Sequence, residues 1–258
     1  LRDSYPGDMA AALAAAQLFR RLSARSEARL TLTRYLAPTF PTPLPKADIL
    51  LCIARDAAAD NRLSDATQAL SELRTAFPQH RDGYRELGHL YLQQANWPEA
   101  IRCYQEALAR WPEDGEFTLA LARATAQSGN PAQAILLYRQ AAARLTTAEP
   151  LLELGALYAR QRDDARARDC WLAAQERPGG SIRARMSLLA SYQASRETTA
   201  AAAVTQELRS RLAGERQTRA ARWQRLLTAA GYPPTPEEVD ALLLLEPDLI
   251  DPANLPAQ

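Results

Sequence analysis

Few side chains in this sequence are of the types and spacing that catalysis or metal binding requires. His80 follows a predicted helix and His89 lies within one, and there is no phosphate-binding glycine loop, Gly-x-Ser-x-Gly elbow or His-Glu-x-x-His motif. The spacing of Asp and Glu follows helix surfaces. Cys52, Cys103 and Cys170 are too far apart for a metal site or a disulfide framework, so we expect them to be small buried residues. The sequence therefore predicts a non-enzymatic protein without metal or cofactor.

The balance of charged residues excludes overall electrostatic attraction as the basis for binding a partner. The 258 residues include 31 Lys and Arg and 30 Asp and Glu, for a formal net charge of +1, so no overall field draws the chain to nucleic acid or to an anionic membrane. Lys46 is the single lysine, and such Arg and Ala usage is typical of GC-rich bacterial genes. No apolar run reaches the ~18 residues that span a bilayer.

Residues 81–114 have the pattern of two helices and a stop. Bulky residues and a glycine recur on one face of a first helix: Tyr84, Leu87, Gly88 and Tyr91. Asn96, Trp97 and Pro98 interrupt the pattern, and a second apolar series (Ala100, Tyr104, Ala107, Leu108) ends before Pro112. Because glycine permits close approach, we expect the second helix to pack against Gly88.

This segment resembles the tetratricopeptide repeat, a helical hairpin of about 34 residues. Eight signature positions match in register: Tyr84, Leu87, Gly88, Tyr91, Ala100, Tyr104, Ala107 and Pro112. Weaker copies of the pattern predict hairpins near residues 9–37, 47–78, 81–112, 115–147, 148–178 and 182–212. The resemblance implies an all-α, right-handed superhelical solenoid of about six such hairpins.

The ends of the array are less regular. We expect the repeats to occupy residues 1–214, with the four prolines between Pro38 and Pro45 as a stiff spacer. Gly214 is predicted to precede separate capping helices over residues 215–245, because an array must cover its terminal apolar face. Residues 246–258 are predicted to be an extended tail or linker. Three tryptophans, Trp97, Trp111 and Trp171, are predicted to pack between helices.

The resemblance also predicts which residues face the groove that this family uses to bind ligands. At the ninth position of successive units stand Arg55, His89 and Arg123, and four more donors lie near them: Arg85, Gln93, Gln127 and Arg160. Such a column suits carboxylates or an extended peptide backbone. An ordinary solvated helix face is the alternative. An acidic column at the second position (Asp48, Asp82, Glu116, Glu149) is explained by the helix dipole.

The leading functional prediction is a scaffold that binds another protein through this groove. Resemblance favours bacterial envelope assembly, secretion or exopolysaccharide export. The partner would then be a periplasmic polysaccharide-modifying enzyme or a secretion component, in the periplasm rather than the cytoplasm. The chain begins at Leu1 rather than Met, so we expect its native start to be missing or trimmed.

Two alternatives remain open at this stage. The chain could be the regulatory, peptide-binding arm of a cytoplasmic protein. It could also bind carbohydrate or nucleic acid around Trp223, which four arginines surround: Arg216, Arg219, Arg222 and Arg225. The near-zero net charge and the absence of a nucleic-acid-binding motif favour a packing role for Trp223 and no nucleic-acid partner.

Overall fold

The computed structural model describes residues 46–229 together with Thr235 and Pro236. This part of the chain is all-α. It contains ten helices: α1 Lys46–Ala59, α2 Leu63–Ala76, α3 Arg81–Gln93, α4 Trp97–Arg110, α5 Gly115–Gln127, α6 Pro131–Arg144, α7 Glu149–Arg160, α8 Asp164–Gln175, α9 Ser181–Ala194 and α10 Thr198–Ala229. The predicted hairpin at residues 9–37, the proline-rich spacer, the helix following Pro236 and the tail at 246–258 lie outside the described residues.

The helices pair as sequential hairpins, as the sequence predicts. Each odd-numbered helix packs against the even-numbered helix that follows it, and the chain forms two compact units. Unit 1 ends at Arg144 and contains α1 to α6, and unit 2 begins at Leu145 and contains α7 to α10. Within unit 1, α2 also packs on α3 and α4 on α5, while in unit 2 α8 packs on α9.

Each of the five described hairpins turns at a residue with left-handed backbone geometry. These residues recur about every 34 positions: Asn61, Ala95, Gly129, Arg162 and Arg196, with φ of 58°, 53°, 87°, 64° and 59°. The next N–H in each turn donates back into the first helix, as Asn96 does to the Tyr91 carbonyl at 2.9 Å. This is the hydrogen bond of a helix that ends with a left-handed residue, and it satisfies a carbonyl that the helix leaves open.

The signature residues of the clearest repeat form the core of unit 1. Tyr84, Leu87 and Tyr104 are all buried. A Cβ atom placed on Gly88 would lie 2.4 Å from two carbons of the Tyr104 ring. The prediction that Gly88 marks the close approach of α3 and α4 is therefore confirmed.

The cysteines and tryptophans are buried to different degrees. Cys103 is fully buried, but Cys52 and Cys170 are only half-buried, so the expectation of burial is wrong for those two. Trp171 is buried, as predicted. Trp111 is half-buried, and its ring lies 5.6 Å from that of Tyr84 and 5.7 Å from that of Phe117. Trp97 is also half-buried.

The helix boundary predicted at Gly214 is not observed. Helix α10 continues from Thr198 to Ala229 without a break. The physical reason is energetic, because one glycine inside a helix costs only about 1 kcal/mol relative to alanine and good helix formers surround this one. That residues 215–245 cover the end of the array stays a prediction.

Replacing Gly214 with alanine is expected to raise the free energy of unfolding of unit 2 by about 1 kcal/mol. A Cβ atom at this position meets no atom within 4 Å, so the substitution adds helix propensity without a clash. The matched control is Gly179→Ala, which also has open space but stands at a φ of 76°. Alanine is strained there, so this variant should be less stable than the parent. Urea unfolding followed by circular dichroism measures both changes, and shifts of the same sign would contradict this account.

Candidate functional site

A pocket lies between two first helices of unit 1, α1 and α3. Its volume is ≈ 300 Å³. We call it the α1–α3 pocket, and it is lined by Ala54, Arg55, Ala58, Ala59, Leu70, Glu86, His89, Leu90 and Gln93. It therefore brings together three of the seven residues predicted to face a groove: Arg55, His89 and Gln93.

Helical periodicity explains how these residues reach one pocket. On α3, Glu86, His89, Leu90 and Gln93 follow the i, i+3, i+4, i+7 spacing that places side chains on one stripe. Ala54 and Ala58 are one turn apart on α1 and face that stripe. The repeat period of about 34 residues puts Arg55 and His89 at the same place on neighbouring first helices.

The Arg55 guanidinium is engaged with Glu86, a residue that the sequence analysis did not select. Arg55 Nε and Nη2 both donate to Glu86 Oε1, at 3.1 and 2.6 Å. The hydrogen bond and charge of Glu86 raise the pKa of Arg55 above its ordinary value, against the opposing effect of burial. The sequence signal for this contact was that Glu86 is a carboxylate at the sixth position of its unit, and Arg55 is at the ninth position of the unit before.

His89 and Gln93 differ from Arg55 in having no partner of this kind. Both side chains are exposed at the pocket wall. Among the described residues, no hydrogen bond or ion pair engages either side chain. Both side chains carry hydrogen-bonding groups, so together they offer polar contacts beside the ion pair.

The other predicted site residues do not line the pocket. Arg85 is on α3, where its Nη2 lies 3.0 Å from Oδ1 of Asp82 and 3.7 Å from Oε1 of the pocket residue Glu86. Arg123 is half-buried on α5, and its charge acts on Tyr104, whose pKa is raised chiefly by burial. Gln127 is the exposed last residue of α5. Arg160 is exposed at the end of α7 and belongs to unit 2. Their role in binding stays a prediction.

The acidic column is tied to structural contacts. All four carboxylates stand in the first turn of a helix, where the dipole favours a negative charge: Asp48, Asp82, Glu116 and Glu149. In unit 1, Asp48 Oδ1 lies 3.5 Å from His80 Nε2, Asp82 pairs with Arg85, and Glu116 pairs with Arg81 at 2.7 Å. These contacts support the structural explanation of the column.

The surface around Trp223 can be described only in part, because the Trp223 side chain lies outside the described residues. On α10, Arg216 and Arg219 are half-buried, whereas Arg222 and Arg225 are exposed. Carbohydrate or nucleic-acid binding at this surface therefore stays a prediction.

No group of three or more His, Cys, Asp and Glu side chains in the described part of the chain is arranged to hold a metal ion. None of the helices α1 to α10 combines the length and apolar character that crossing a membrane requires.

The repeat pattern is also found by comparison with known protein families. Residues 85–150 match the family model described as tetratricopeptide repeat. No curated protein matches the sequence.

Several solved structures share the fold. The C-terminal part of a TPR repeat-containing protein from Cytophaga hutchinsonii superposes with a TM-score of 0.61 at 16% identity, covering 75% of this chain and 79% of that one. PilF of Pseudomonas aeruginosa has a TM-score of 0.59 at 17% identity and covers 81% and 92%. MamA from residue 41 onward, of Desulfovibrio magneticus RS-1, has a TM-score of 0.55 at 16% identity and covers 64% and 92%.

The match and the superpositions agree with the hairpins, their left-handed turns and the packing of Gly88 on Tyr104. Residues 85–150 match the tetratricopeptide-repeat model, and the described part of the chain has an all-α fold of sequential hairpins like that of solved tetratricopeptide-repeat structures.

Proposed function

We propose that this protein is a non-enzymatic scaffold that binds another protein through the first-helix face of unit 1, formed by α1, α3 and α5. Tetratricopeptide repeats mediate protein–protein interactions, which supports a protein partner. The observation that carries the proposal is the α1–α3 pocket, where Arg55, His89 and Gln93 meet on an exposed face. Its volume of ≈ 300 Å³ is at the lower end of the range of binding pockets.

The separation of buried and exposed residues on α3 also supports a binding face. Tyr84, Leu87 and Gly88 are buried against the rest of unit 1. His89 and Gln93 are on the same helix but exposed. Since burial of the first set holds the helix in place, the second set is presented on a rigid support, which favours precise binding.

The finer part of the proposal concerns the cellular role. We place the partner in the bacterial cell envelope, as a secretion component or an enzyme of exopolysaccharide export. Arg and Ala usage typical of bacterial genes supports a bacterial origin. Fractionation of cells that express the tagged gene from its own locus tests the compartment. Recovery in the periplasmic fraction is expected, and recovery with a cytoplasmic marker would overturn this part of the proposal.

The binding face is tested by retention of partners from a bacterial envelope extract, with the whole chain as bait. The double variant Arg55→Gln, Gln93→Ala should retain about tenfold less of the partner, because the hydrogen bonds of Gln93 are lost and Glu86 is left without its Arg55 partner at the rim, which together is worth about 1.4 kcal/mol. A matched control is Arg102→Gln, Gln105→Ala on the second helix α4, where both residues are exposed and Arg102 pairs with Glu99 as Arg55 pairs with Glu86. Equal retention by the two double variants would contradict the assignment of the face.

A further inference from the structure

The floor of the α1–α3 pocket is apolar and fixed. Ala54, Leu70 and Leu90 are 1%, 3% and 2% exposed, so they belong to the core and reach the pocket only at its base. Ala58 and Ala59 form the more open part of the wall. Three alanines at these positions leave space that larger side chains would fill. The volume of ≈ 300 Å³ corresponds to about ten water molecules, enough for one side chain and its adjoining peptide groups.

The charges at the rim are already paired, because Arg55 and Arg85 both lie next to Glu86 and Arg85 also pairs with Asp82. Arg55 and Glu86 meet through two hydrogen bonds to one carboxylate oxygen, the shorter at 2.6 Å. An incoming carboxylate would have to compete with Glu86 for Arg55 and would be repelled by Glu86. An incoming ammonium group would be repelled by the positive charge of Arg55. Because either charge is penalised at this rim, the pocket selects against charged side chains.

The two rim side chains outside the ion pairs are spaced to contact a peptide backbone. His89 and Gln93 are one helical turn apart on α3, which places their Cβ atoms about 5 to 6 Å apart. Every second residue of an extended chain is separated by about 6.6 Å, so one extended segment running along α3 can meet both side chains. Each can donate to a carbonyl or accept from an N–H.

We infer that the α1–α3 pocket binds an uncharged, extended peptide segment of the partner, with one aliphatic side chain seated on Ala54, Ala58, Leu70 and Leu90. This inference rests on the proposed function of the first-helix face. The sequence analysis allowed two ligands for the column of basic and amide donors, a carboxylate or an extended peptide backbone. The inference favours the peptide backbone, because Glu86 already occupies Arg55.

A displayed library of random heptapeptides, selected on the immobilised whole chain, tests the inference directly. Enriched sequences should share one aliphatic residue flanked by uncharged residues. Fluorescence anisotropy then compares an enriched peptide with its Asp-substituted version, which should bind about tenfold more weakly, because a buried hydrophobic contact is replaced by a charge. Enrichment of acidic or basic residues at that position, or of no peptide above background, would overturn the inference.

Variants of the chain separate the pocket from the rest of the face. Ala58→Leu fills the pocket and should weaken binding of the enriched peptide about tenfold, whereas Ala109→Leu, at an exposed site on α4, should leave it unchanged. Both changes exchange residues of similar helix propensity, so circular dichroism should show the same fold. Glu86→Gln frees Arg55 and should raise the affinity for the Asp-substituted peptide about tenfold, which a merely misfolded pocket would not do.

The same measurements distinguish failure of the inference from failure of the proposed function. If Ala58→Leu has no effect but Arg123→Gln, Gln127→Ala on α5 abolishes binding, the first-helix face binds peptides and the pocket assignment is wrong. If neither variant changes binding, the partner does not use this face and both conclusions fail.

Discussion

Replacing Gly88 with alanine is expected to lower the free energy of unfolding of unit 1 by about 2 kcal/mol, although alanine is the better helix former. The added Cβ would lie 2.4 Å from Cε1 and Cζ of Tyr104 and 2.8 Å from its hydroxyl oxygen. Tyr104 is 2% exposed, so its ring has no free space to enter. The clash must separate α3 from α4, which removes apolar contacts along the hairpin.

The same prediction applies independently in unit 2. A Cβ atom on Gly155 would lie 2.4 Å from Nε1 of Trp171, which is 6% exposed and donates a hydrogen bond to the Leu152 carbonyl at 3.3 Å. Gly155→Ala should therefore cost a similar amount, about 2 kcal/mol. Urea unfolding followed by tryptophan fluorescence and circular dichroism measures both variants.

Two further variants test the cause of the loss. Gly83→Ala, on the same helix as Gly88, meets only the end of the Leu73 side chain at 3.1 Å and should be tolerated much better. In a Tyr104→Leu background, where the ring is absent, Gly88→Ala should cost less than in the parent, since neighbouring substitutions couple. A Gly88→Ala protein as stable as the parent, or additive effects of the two substitutions, would show that the ring contact is not limiting.

These glycines show why the sequence predicts so much of the core. In a repeat, the residues that hold one hairpin together are close in sequence, so Gly88 and Tyr104 form a pattern that can be recognised without the rest of the chain. Gly214 has no such pattern around it. Its effect on α10 depends on a balance of about 1 kcal/mol between helix propensity and the neighbouring residues, and this balance cannot be decided from one residue type.

The candidate site was predictable to the extent that it follows the repeat period. Arg55 and His89 are 34 positions apart, and the register alone puts them on neighbouring first helices. The partner of Arg55 was not predictable in this way, because the contact with Glu86 depends on side-chain conformations across two helices. That contact offsets the positive charge of Arg55 at the pocket.

The second large effect is expected at the joint between the hairpins α3–α4 and α5–α6. Asp114 Oδ1 caps α5 by accepting hydrogen bonds from the N–H groups of Glu116 and Phe117, at 2.9 and 3.1 Å. Its Oδ2 accepts from Arg81 Nε at 2.6 Å, and the Arg81 guanidinium lies 4.9 Å from the centre of the Phe117 ring. The Asp114 carboxylate thus caps the N-terminus of α5 and connects it to the N-terminus of α3.

Asp114→Ala is expected to lower the free energy of unfolding of unit 1 by about 2 to 3 kcal/mol, as it removes both the cap and a hydrogen bond between charged groups. Asp114→Asn keeps a side-chain oxygen for the cap but loses the charge, so the free energy of unfolding is expected to fall by only about 1 kcal/mol. Glu116→Gln is the control, because its carboxylate is 60% exposed and surface ion pairs contribute little. Equal losses for the alanine and asparagine variants would show that the cap contributes nothing.

The pH dependence of unfolding separates the charge of Asp114 from its shape. Burial tends to raise the pKa of Asp114, but the hydrogen bonds from Arg81, Phe117 and Glu116 and the charge of Arg81 outweigh burial and lower it. A carboxyl group with a lowered folded-state pKa stabilises the protein fully above its unfolded pKa of about 3.9 and loses that contribution as the pH falls through the folded value. The stability difference between the parent and Asp114→Asn should therefore be constant from pH 7 to pH 5 and shrink below about pH 4. Since the other carboxylates titrate alike in both proteins, a difference that stays constant to pH 2 would show that the Arg81–Asp114 contact does not depend on ionised Asp114.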